Sequence, residues 1–137
     1  MGARTKSRKR ALDLLFEADQ RGVNVEALLA ERLEHPVTPA PVPEYAVALV
    51  EGVVRNWATI ESVLGTYSQG WAVDRMPAVD RAILRIGAYE VLFGEQIPDA
   101  VAISEAVNLA KDLSTDGSPA FVNGLLGRIA EVKDTVV

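Results

Sequence analysis

The stretch VDRAILRIGAYEVLF, residues 79–93, decides the fold class. Val79, Ala82, Ile83, Leu84, Ile86, Ala88, Tyr89, Val91, Leu92 and Phe93 cover most of a helical circumference, and Arg81 and Arg85, four residues apart, define a narrow polar edge. A helix that is apolar on nearly every side has to be surrounded by other elements. Residues 78–93 are therefore read as a central helix, and the flanking sequence has to supply the helices that cover it.

Upstream, Leu12, Leu15 and Phe16 fall at the i, i+3, i+4 spacing of an apolar stripe and predict a helix over 5–21. A second is predicted over 24–34, with Asn24 as N-cap and Leu28, Leu29 and Leu33 as its apolar face, stopped by His35 and Pro36. Pro36-Val-Thr-Pro-Ala-Pro-Val-Pro43 holds four prolines in eight residues and reads as an extended, stiff connector. Pro43 suits the first position of the next helix, where Ala46, Leu49, Val50, Val53, Trp57, Ile60, Leu64 and Tyr67 form a core-facing stripe. Asn56 and Thr59 are the points at which it would divide in two, and Gly65 to Gly70 mark its end.

Downstream, Gly94 and Pro98 end the central helix. Ser104 reads as the N-cap of a helix with Val107, Ala110 and Leu113 facing inward. The turn Thr115-Asp-Gly117 leads to Ser118 as cap and Pro119 as first helical residue of the last helix, which packs through Phe121, Val122, Leu125, Leu126 and Ile129. Gly124 and Gly127, a small-xx-small pair, are expected to allow close packing there. Strand signals are scarce, so the fold class is all-α with about six to seven helices.

The 137 residues suit one domain with a core of its own, with helical halves at about 5–70 and 77–132. No cysteine is present, which removes thiol chemistry and is compatible with a cytoplasmic location. Asp13, Glu17 and Asp19 interrupt the N-terminal apolar pattern, which excludes a secretion signal, and no apolar run approaches the roughly 18–20 residues of a membrane span. No contact with a membrane is expected. His35 is the only histidine and stands beside a proline at a helix end. The carboxylates are scattered, and no phosphate-cradling loop is found, so neither a catalytic activity, a metal nor a cofactor is expected.

Charge is segregated. Arg4, Lys6, Arg8, Lys9 and Arg10 fall in the first ten residues without an acid among them, and subtracting this +5 from the total of −5 leaves −10 on residues 11–137. Clustered cations make a field that interspersed charges would cancel, and RNA is the expected polyanion. Cations in the first turn of a helix oppose its dipole by about 0.3–1 kcal/mol each, so folding alone would prefer acids there. Arg85 and Glu90, on the central helix, are expected to serve internal pairing.

Residues 79–93, IPDAVAISEAVNLAK (97–111) and TDGSPAFVNGLLGRI (115–129), with SRKRALDLLFEA at 7–18 and EGVVRN at 51–56, together resemble the NusB family of bacterial transcription antitermination factors over nearly the whole chain. The most specific matches are Arg85-Ile, Tyr89-Glu90, Ala102-Ile-x-Glu105-Ala, Leu109-Ala-Lys111 and Phe121-Val-Asn-Gly124. The connector 36–43 resembles the family least.

The resemblance implies two small packed helix bundles and no catalysis. It also implies binding of single-stranded boxA RNA from ribosomal-RNA operons, jointly with the ribosomal protein NusE, within the RNA polymerase antitermination complex. Carried over by position, the family's RNA contacts fall on Arg4, Lys6 and Arg8, with Lys9 and Arg10 adjacent, on Phe16 and Phe121 as stacking rings, and on Asp116 in the turn before the last helix. The family's second acid in that turn is Gly117 here. Family acids facing NusE correspond to Asp74 and Asp80.

Each of these residues also has a structural reading. Phe16 and Phe121 lie at core spacings, and carboxylates at a helix start complement the dipole. Two alternatives of another class stand beside the RNA reading: an interaction scaffold whose acidic body binds a basic partner, and a homodimer that buries the arm and Phe16 between two copies.

Overall fold

In a computed structural model, residues 2–136 are described, and they contain seven α-helices, a short 3-10 turn at Val73–Arg75 and no strand. The helices are α1 (Ala3–Arg21), α2 (Val25–Glu34), α3 (Glu44–Arg55), α4 (Trp57–Tyr67), α5 (Ala78–Phe93), α6 (Asp99–Leu113) and α7 (Ser118–Val136). Helix α5 packs against α1, α3, α4, α6 and α7, as its nearly uniform apolar surface demands. Helices α1, α2 and α3 pack on one another, as do α5, α6 and α7. Buried side chains from all seven helices form a single cluster, with Leu49, Ile60, Leu64, Ile83, Leu84 and Leu125 fully enclosed.

Local chemistry sets several boundaries. The Asn24 side chain accepts the Ala27 N–H at 3.0 Å and caps α2 as expected. The Asn56 side chain donates to the Gly52 carbonyl at 2.8 Å, which competes with the helical ladder and divides α3 from α4. Where α3 crosses α5, the Tyr89 ring lies against the backbone of Gly52, and a Cβ there would stand 2.2 Å from it.

Four expectations change. Helix α6 begins at Asp99 rather than at Ser104: Pro98 supplies the carbonyl that accepts the Val101 and Ala102 N–H groups, and Asp99 places an acid in the first turn. Ser104 is an exposed residue inside the helix. Leu33, Trp57 and Leu113, expected inside, are 50%, 39% and 38% exposed. Gly124 and Gly127 face open space or an arginine tip, so the close helix contact falls instead at Gly87, where a Cβ would lie 2.6 Å from Leu126. Ser118 starts α7, but its hydroxyl turns away from the helix end and donates to Asp80.

Candidate nucleic-acid interface

Helix α1 starts with no acid in its first turn and no side-chain cap on Gly2. Its cations work against the dipole, so another interaction has to hold the first two turns helical. Arg8 provides it. The Nε and Nη2 of its guanidinium donate to the Glu90 carboxylate at 2.8 and 3.0 Å, and Nη1 donates to Glu105 at 3.0 Å. Thr5 donates its hydroxyl to the same Glu105 oxygen at 2.5 Å, and the Tyr45 hydroxyl donates to Glu90. Four elements, α1, α3, α5 and α6, are thereby joined through one ionic cluster.

The electrostatics follow from burial. Desolvation disfavours the Arg8 charge, but the Glu90 hydrogen bonds and the adjacent carboxylate charges outweigh it, and the guanidinium is held more firmly protonated than usual. Burial, then the hydrogen bond to Glu90, pushes the Tyr45 phenol well above its ordinary range. The Tyr45 ring also carries two cations, the Arg4 guanidinium 5.1 Å and the Arg8 guanidinium 5.8 Å from its centroid.

Arg8, expected among the RNA-contacting cations, is therefore corrected: it is 3% exposed and its donors are committed to protein carboxylates. The sequence held a signal for this, since Arg8 lies three, four and seven residues before Ala11, Leu12 and Leu15, on the buried stripe of α1. Arg4 and Lys6 are exposed and Arg10 is half-buried, and among the described residues none of the three makes an ion pair. Lys9 pairs with Asp13 one turn on, at 2.7 Å on the surface, where such a pair is weak enough for a phosphate to displace.

Phe16 is half-buried against the core. Phe121 is half-buried too, and its ring meets Trp71 edge to face with centroids 5.2 Å apart. Asp116 is exposed in its turn, and Asp74 is exposed in the 3-10 turn. Asp80, expected on the NusE-facing surface, is also corrected: it is fully buried and accepts the Ser114 and Ser118 hydroxyls at 2.5 and 2.8 Å, tying the start of α7 to the start of α5. Arg85 pairs internally as expected, with Glu61 at 2.7 Å, and lies over the Trp57 ring at 4.4 Å.

The site residues do not form one cluster. Arg8 holds the arm at Glu90, while Ser118 holds the start of α7 at Asp80; ten helical residues separate these anchors, about 15 Å. The arm and Phe121 thus mark opposite ends of α5. Tyr45 and Trp71 carry no signal in the sequence, and Glu105 figures there only within a family motif without a role, because each acts through partners far away along the chain. No group of three or more metal-ligating side chains occurs among the described residues, and none of the helices is long and apolar enough to cross a membrane.

The profile of the NusB family matches residues 5–131. The chain is 59% identical to the transcription antitermination protein NusB of Kineococcus radiotolerans, covering 99% of this chain and 98% of that one. It is 58% identical to the NusB of Beutenbergia cavernae, covering 94% and 90%. Among solved structures it is similar to T. maritima NusB, with a TM-score of 0.81, 34% identity and coverage of 95% and 92%. It is also similar to a chain in a complex of the antitermination factors NusB and NusE with double-stranded RNA, with a TM-score of 0.79, 29% identity and coverage of 94% and 96%.

Proposed function

This chain belongs to the NusB family of transcription antitermination proteins, and from that premise we propose that it binds boxA RNA of ribosomal-RNA operons together with NusE, within the RNA polymerase antitermination complex in the bacterial cytoplasm. It acts by binding, without catalysis. The observation that carries this reading is the basic arm: Arg4, Lys6, Lys9 and Arg10 stand, exposed or half-exposed, on two helical turns that the Arg8 cluster pins to the body. A helix end unfavourable by its dipole, yet tethered by a buried ionic network, keeps cations in fixed array before RNA arrives, which reduces the ordering cost of binding.

Asp74, exposed on the 3-10 turn, is the acid offered to NusE, whose basic character it complements. Phe121 at the other end of α5 supplies a ring for an unpaired base, with Asp116 in the exposed turn before it. Phe16 packs on the core and contributes to RNA binding through its exposed edge.

The test is a titration of boxA RNA at several salt concentrations, with and without NusE. Three or four phosphate contacts give a log–log slope of about −2 to −3. The variant carrying Arg4→Ala and Lys6→Ala should lower the slope by about 0.7 for each phosphate no longer neutralised, with an unchanged melting temperature. A flat salt response, or equal affinity for scrambled RNA in the presence of NusE, overturns the reading.

A further inference from the structure

We propose that Trp71 and Arg128 join Phe121 in a second contact for single-stranded RNA, in which the Trp71 indole stacks on an unpaired base and the Arg128 guanidinium takes the neighbouring phosphate. This contact rests on the RNA-binding reading above and lies at the end of α5 away from the basic arm.

Trp71 is 42% exposed, in a segment otherwise built of small or polar exposed residues, Gln69, Gly70 and Ala72. Its position is nonetheless fixed. Gly70 takes a left-handed φ of 91°, the Ser68 hydroxyl donates to the Trp71 carbonyl at 2.5 Å, and Arg128 Nε donates to the Tyr67 carbonyl at 3.0 Å. The rings of Trp71 and Phe121 are inclined at 70°, an edge-to-face arrangement that occupies at most one face of one ring. An indole held this way, and this exposed, presents a flat π-surface before any ligand arrives.

Arg128 supplies the charge. It shares a face of α7 with Phe121 and Gly124, and its Nη1 lies over Gly124, 3.4 Å from where a Cβ would stand. Only Nε is engaged, and among the described residues no acid pairs with the guanidinium. An uncompensated cation on the helix that carries Phe121, hydrogen-bonded to the segment leading into Trp71, supplies together with that preset aromatic face the chemistry of single-stranded nucleic-acid platforms. The second tryptophan differs: the Trp57 ring is already covered by Arg85.

The experiment uses the full-length Trp57→Phe variant, in which Trp71 is the only indole, titrated with single-stranded boxA RNA in the presence of NusE. The expected result is quenching of Trp71 emission that saturates with RNA binding. Trp71→Ala should weaken RNA affinity roughly 5- to 150-fold, the equivalent of about 1–3 kcal/mol for one stacked base, while Trp71→Phe retains most of it. Arg128→Gln should lower the salt slope by about 0.7. Unchanged emission together with wild-type affinity of Trp71→Ala overturns the proposal. So does emission that responds to NusE alone and not to RNA, which would make this a protein-docking surface. If the arm variants weaken RNA binding while Trp71→Ala does not, this inference fails and the broader reading stands; if neither weakens it, both fail. Should Trp71→Ala unfold, the emission titration and Trp71→Phe still decide.

Discussion

Replacing Arg8 by Ala separates a structural arginine from an RNA-contacting one. Arg8 and Glu90 are 3% and 1% exposed, so the substitution leaves a buried carboxylate with the Tyr45 hydroxyl as its remaining side-chain partner. Breaking one side of a buried ion pair costs about 3–5 kcal/mol, because the surviving charge stays desolvated. With an unfolding entropy of about 2.1 cal/mol/K per residue over 137 residues, each kcal/mol moves the midpoint by about 3.5 °C, so Arg8→Ala should lower Tm by about 10–17 °C. Glu90→Gln should act in the same direction, since it leaves the buried guanidinium with Glu105 as its one charged partner. In a double-mutant cycle the two substitutions together should cost clearly less than the sum of the singles. Circular dichroism at the helical band measures all three. A drop below about 4 °C for Arg8→Ala, the scale of a surface pair, would refute the assignment of Arg8 to the interior.

Three further outcomes follow from the same geometry. Asp80→Ala removes the acceptor of two serine hydroxyls and should cost about 2–4 kcal/mol in denaturant unfolding, so that any change in NusE affinity tracks stability. Glu17 is held down to about 2 by hydrogen bonds from Arg32 and Arg21, and a depressed carboxylate stabilises the fold above its unfolded pKa; this contribution should fade as pH falls from about 4.5 toward 2, and Glu17→Gln should lower stability by a constant amount above pH 5 and remove that part of the pH dependence below it. Tyr45→Phe keeps the ring beneath Arg4 and should retain RNA affinity at some loss of Tm, whereas Tyr45→Leu should lose both, as read by RNA titration alongside thermal melts.

The helices were legible because their cause is local. The nearly all-apolar run 79–93 had to be central, Asn24 had to cap, and Asn56 offered the break that the structure uses. The misplaced start of α6 has a local cause as well: cap preference pointed to Ser104, while Pro98 and Asp99 together form a complete helix start five residues earlier. The site was harder to read because its ordering is long-range. Arg8 meets partners 82 and 97 residues away, and nothing in the spacing of the first ten residues distinguishes the one arginine that turns inward, except that it continues the stripe of Ala11, Leu12 and Leu15. Asp80 was read as a surface acid for a similar reason: the serines that enclose it come from the turn before α7 and from the first residue of α7. Trp71 lay in a segment without periodicity, and only the fold brings Phe121 against it.

The most direct test of how this protein holds RNA is photochemical crosslinking of boxA RNA to the intact chain with NusE, followed by peptide mapping. Adducts are expected on peptides from the arm, at Arg4, Lys6, Lys9 or Arg10, and on the peptide carrying Phe121, with none at Arg8. Adducts confined to other surfaces, with the arm and the start of α7 both unmodified, would contradict a basic arm held ready for RNA by a buried arginine.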